Sequence, residues 1–124
     1  MQFSVKVSDY QKNIMINMCD AELMGKDIVD GELKININEN YYGKQLVDKS
    51  EAISLLKSAS IMNLVGHETI SLATDLGIGS ESGIKIISNV PFLIIFNTWN
   101  GFSFYLKSNV FYLVWEIKTV DWYY

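Results

Sequence analysis

Three residues have the types of a thiol-protease site: Cys19 as nucleophile, His67 as base and Asn63 as the amide that orients it. They are weak candidates, because Cys19 and His67 are the only cysteine and the only histidine in the chain. Cys19 also closes an apolar run and is followed by Asp20, whose negative charge opposes a thiolate. The expected state of such a thiol is buried and inert. Cys19 and Asp20 are therefore kept as a possible reactive pair, and no catalytic residue is assigned. Metal chemistry is also poorly supplied, since one Cys and one His make no structural zinc site without carboxylates. Asp27-Ile28-Val29-Asp30-Gly31-Glu32 lacks the alternate-residue ligand spacing of a calcium loop and reads as a solvated turn. The glycines from Gly77 to Gly83 follow a helix and precede a strand, the reverse of a dinucleotide fingerprint. No metal and no cofactor are expected.

Binding is better supplied than catalysis. Tyr41, Tyr42, Gly43 and Lys44 place two aromatics, a glycine and a cation in one connection, able to stack on a base or line a partner's pocket. The plainer reading is that one tyrosine plugs the core. Asn63, Gly66 and His67 form a second corner, where an amide and free backbone groups could hold a ligand or a peptide. Its plainer reading is a capped connection between two helices.

The elements that must position these residues are of mixed type. Phe3, Val5 and Val7 alternate with polar residues, as do Ile14, Ile16 and Met18 less cleanly, so the two runs read as an antiparallel hairpin. Asp20 to Lys26 reads as a single helical turn, and Leu33, Ile35 and Ile37 mark a third strand. Asp48 and Glu51 have capping-box spacing and open a helix with Ala52, Leu55, Leu56, Ala59 and Met62 on one face, expected to run over about 48–65. A second helix is expected over 67–76, then a strand from Ile84 to Ile87. The fold class is thus α+β: a small mixed sheet packed by two consecutive helices, followed by a C-terminal β-meander. The meander rests on Asn100-Gly101, a two-residue hairpin signal between Phe92–Thr98 and Phe102–Leu106, with Val110–Ile117 as its last strand.

Composition sharpens this division. Residues 91–124 hold 12 of the 16 aromatics and only 4 of the 24 charged residues, so a 1–96 body and a 97–124 aromatic extension differ in chemistry. The extension is expected to pack on the same domain or on a partner. A formal net charge of -4 and the lack of any arginine argue against direct nucleic-acid binding. Heavy use of Ile, Asn, Lys and Tyr is also what an AT-rich genome would write. One cysteine makes no internal disulfide, and neither a signal-peptide pattern nor an 18-residue apolar run is present, so a cytoplasmic location is expected.

One ordered set of residues goes further. Cys19-Asp20-Ala21-Glu22-Leu23-Met24-Gly25-Lys26, Tyr41-Tyr42-Gly43, Ala59 to Gly66, and Val90-Pro91 together resemble the archaeal domain-of-unknown-function family 424, over residues 1 to about 96. The resemblance implies an archaeal, cytoplasmic, compact α+β protein with no established activity, associated with translation. It carries over no catalytic residues. The family pattern stops soon after Pro91, so the aromatic extension is either a lineage-specific addition or out-of-frame sequence, and the Asn-Gly hairpin favours real structure. The expected function is a non-enzymatic binding or adaptor module for a protein or ribonucleoprotein partner. The alternatives are a small enzyme using Cys19 and His67, and membrane-surface or self-association through the C-terminal strands, the latter giving a homo-oligomer.

Overall fold

The computed structural model describes residues 1–10 and 13–96. The expected meander after Phe96 and the tip of the first hairpin lie outside the described residues. The alternating runs near the N-terminus form β1 (Phe3–Tyr10) and β2 (Asn13–Asp20), antiparallel from Phe3↔Asp20 to Tyr10↔Asn13. A single 3-10 turn, Ala21–Leu23, leads into a small separate hairpin of β3 (Asp27–Asp30) and β4 (Leu33–Asn36). Four of the six residues of the segment read as a solvated acidic turn, Asp27 to Asp30, are therefore strand, with Gly31 at the bend. Asn38 caps a one-turn helix, α1 (Glu39–Tyr42), its side chain accepting from the Asn40 and Tyr41 amides. The edge strand β5 (Gln45–Val47) follows and pairs with β1.

Asp48 caps α2 (Lys49–Ser58) as its spacing predicts, accepting from the Glu51 amide at 2.9 Å. The helix does not continue to residue 65. It stops at Ser58, Ala59 turns extended, and Ile61–Val65 forms β6. The physical reason is burial. All five residues of β6 are buried, because the strand has packed layers on both faces. Such a strand reads as an apolar run, broken here only by Asn63, and its Met62 extends a helical stripe just as well. A strand thus stands between the two helices expected to be consecutive. The second of them, α3 (His67–Asp75), matches its expected span to within a residue. The short strand β7 (Lys85–Ile87) and β8 (Val90–Phe96) are the last elements among the described residues, joined by a turn with Ser88 and Asn89 at positive φ.

The main sheet has the order β5-β1-β2-β6-β8-β7. The β2–β6 pair is parallel and its other neighbours are antiparallel, which makes the sheet mixed. On one face Phe3, Val5, Ile16, Met18, Met62, Leu64, Leu93 and Ile95 pack against Ala52 and Leu56 of α2 and Ile70 and Ala73 of α3. On the other, Cys19, Val65, Phe92 and Ile94 pack against Ile28, Ile35 and Ile37 of the β3–β4 hairpin region and against Tyr42 of α1. Among the described residues three layers result, with α2 and α3 on one side of the sheet and the small hairpin with α1 on the other.

Candidate functional site

Parallel pairing of β2 with β6 sets Cys19 opposite Val65, so Asp20 and Gly66 leave the two strands side by side. Asp20 is buried, and its carboxylate caps α3 from outside the helix. Oδ1 accepts from the Thr69 amide at 2.8 Å and the Thr69 hydroxyl at 2.7 Å, and Oδ2 from the Glu68 amide at 3.1 Å. These are the donors that the first turn of a helix leaves unpaired, and a negative charge is favoured there. Gly66 stands at the N-cap with φ 106 and offers no side chain of its own. A Cβ at Gly66 would lie 2.6 Å from both carboxylate oxygens. Asp20 supplies the cap because Gly66 leaves room for it. The carboxylate next to the only cysteine is thus spent on the framework.

Cys19 itself is fully buried on the hairpin-covered face. Burial, and secondly the charge of Asp20, push its thiol up to about 12, so at neutral pH it is a thiol and not a nucleophilic thiolate. His67 is exposed at the first position of α3, with its ring Nε2 3.1 Å from the Asn89 carbonyl in the β7–β8 turn. The ring is engaged with that turn, and Asn63 is engaged elsewhere.

Asn63 Nδ2 donates to the Tyr42 hydroxyl at 3.3 Å. Tyr42 is completely buried, and burial raises its phenol well above the usual value. One tyrosine therefore plugs the core, as the plainer reading had it. Around it the chain is tied down from β1 and β2. Ser4 Oγ donates to the Tyr42 and Gly43 carbonyls at 3.0 and 3.2 Å, and Asn17 Nδ2 to the Tyr41 carbonyl at 2.8 Å. Lys6 Nζ donates to the Asn40 carbonyl at 2.7 Å, and partial burial lowers its ammonium pKa. Gly43 has φ 73, and a Cβ there would collide with the Val5 carbonyl. Only glycine lets α1 turn this close to β1. Tyr41 stays half-buried beside this anchor, and Lys44 is exposed, 3.6 Å from Glu39 in a surface pair of little energetic weight.

The structure thus joins Tyr42 to Asn63 and Asp20 to the helix that Gly66 begins. His67 stands apart, held to the far hairpin turn. Ser4, Asn17 and Thr69 are partners that sequence reasoning passed over. Asn17 had a signal: it is a lone amide between Ile16 and Met18 in an apolar strand, as Asn63 is in β6. Among the described residues no group of three His, Cys, Asp or Glu side chains could hold a metal ion, and the Asp27 carboxylate is engaged by Asn36 and Lys34. No helix among them is long and apolar enough to cross a membrane.

Fold and site together define a small three-layer α+β protein whose buried polar groups serve as internal ties. The chain belongs to the family described as protein of unknown function DUF424, whose family model matches residues 8–98. A solved structure, an uncharacterized conserved protein from Methanopyrus kandleri, superimposes with a TM-score of 0.67 at 16% identity, covering 77% of this chain and 90% of that one. At that identity the likeness speaks for the fold. No curated protein matches the chain.

Proposed function

We propose that this protein is a non-enzymatic binding module that docks on a protein or ribonucleoprotein partner of the translation machinery. The observation that carries the reading is the use made of its reactive groups. The Cys19 thiol is buried and neutral, the Asp20 carboxylate caps α3, and the Tyr42 hydroxyl is sealed beneath α1. Apart from His67, which is engaged with the β7–β8 turn, the candidate groups left outward lie on α1 and its connection to β5, where Asn40 and Lys44 are exposed and Tyr41 is half-buried. That connection is anchored to β1 and β2 by Ser4, Lys6 and Asn17, so it is presented in a fixed shape at low entropic cost. With a net charge of -4 and no arginine, the partner's contact surface is protein rather than phosphate backbone.

Gradient sedimentation of the tagged full chain in a gentle lysate of its source, at low and moderate salt, tests this. Co-migration with a ribosomal subunit that survives moderate salt, and that Tyr41→Ala with Lys44→Glu abolishes while the melting temperature holds, is the expected result. Wild-type protein that stays at the top of the gradient at both salts removes the translation reading.

A further inference from the structure

Asn17 and Asn63 are fully buried, and they are register partners on the parallel pair β2–β6. Both face the side of the sheet that α1 covers, because each donates its Nδ2 to that segment, Asn17 to the Tyr41 carbonyl and Asn63 to the Tyr42 hydroxyl. Each also keeps a buried Oδ1 with no hydrogen-bond donor. A buried acceptor left so is destabilising, and two of them on neighbouring strands form one problem. The Asn17 amide cannot turn over to relieve it, since its oxygen would then face the Tyr41 carbonyl, acceptor against acceptor.

We propose that Asn17 Oδ1 and Asn63 Oδ1 are the two walls of a binding site for a single ordered water, which donates one hydrogen to each. Adjacent strands stand ~4.8 Å apart. Side chains rooted that close on the same face are within reach of one small bridging molecule, and a water's hydrogen bonds run about 2.8 Å. The ligand class follows from the walls. Two neutral acceptors call for a small neutral double donor, and a cation would need more oxygens than these two amides supply. Internal waters of this kind typically satisfy two to four buried polar groups. The water would close a polar seam under α1, tying β2 and β6 to the segment that carries Tyr41 and Tyr42.

The test is a crystal structure of the full chain at atomic resolution, paired with NMR detection of water–amide cross-relaxation. The expected result is one ordered water within hydrogen-bond distance of both Oδ1 atoms. Slow water contacts to the Asn17 and Asn63 side-chain amides accompany it, and Asn63→Leu removes the contact at Asn17. A direct bond from Asn63 Nδ2 to Asn17 Oδ1, with the Tyr42 hydroxyl turned to donate to Asn63 and no water signal, overturns the proposal. The wild-type measurement decides even if the leucine variant fails to fold.

Discussion

At the residue scale, Asp20 and Gly66 work as one unit: the carboxylate caps α3 and the glycine makes room for it. Asp20→Ala leaves the Glu68 and Thr69 amides without their acceptor and is expected to destabilise by roughly 1–3 kcal/mol. Gly66→Ala adds backbone strain and a clash with the carboxylate. In an Asp20→Gly background that clash is gone, so the Gly66→Ala cost shrinks and urea titrations of the four forms show non-additivity. Equal costs in both backgrounds would mean the two residues are independent. Cys19 gives a pH prediction. Its thiol is raised from 9.0 to about 12, so between those values the unfolded chain has released a proton that the folded chain still holds. Stability is intact below about pH 9 and falls as pH climbs toward 12, with a slope approaching 1.4 kcal/mol per pH unit for this group. The buried Tyr42 phenol adds in the same direction at the upper end. Chemical denaturation across pH 8 to 11, with Cys19→Ala as the comparison, is expected to show a shallower alkaline loss in the variant. The same thiol is expected to resist iodoacetamide until denaturant is added.

At the element scale, β6 decides the architecture. It lies between β2 and β8, with α3 on one face and the α1 side on the other. Amides in such a strand open only with the whole protein, whereas an edge strand of three residues frays. Hydrogen exchange is expected to be slowest in Ile61–Val65 and among the fastest in Gln45–Val47. Leu64, fully buried on the helix face, is expected to cost about 2–5 kcal/mol when cut to alanine. Capping-box spacing marks where α2 starts, and the structure places Asp48 there. No local signal marks where α2 ends, because Met62 fits both the helical stripe of Ala52, Leu56 and Ala59 and a buried two-sided strand.

At the scale of the whole molecule, both sheet faces are covered within the described residues, and β8, which begins only at Val90, supplies side chains to both cores. A protein cut after residue 96 is therefore expected to unfold cooperatively in thermal and urea melts. One cut after residue 90 loses Phe92, Leu93, Ile94 and Ile95 from the two cores together, and is expected not to fold. Cooperative melting of the shorter piece would show that β8 is dispensable. The full chain compared with 1–96 in sedimentation and in liposome flotation then reads out what residues 97–124 add.

The sequence by itself determined the elements whose signals are local. The β1–β2 hairpin follows from alternation, the start of α2 from Asp48 and Glu51, and the span of α3 from its apolar face and Gly77. The ordered set of Cys19 to Lys26, Tyr41-Tyr42-Gly43, Ala59 to Gly66 and Val90-Pro91 marked the family, but did not explain its residues. Only the tertiary structure did that. Asp20 meets the amides of Glu68 and Thr69 across 48 and 49 positions of chain, and Asn63 meets Tyr42 across 21. Such contacts leave no periodicity in the chain, because they arise where strands from distant segments are set in register. The same register made a strand of Ile61–Val65: burial on both faces is a property of the layers that cover a segment, not of the segment.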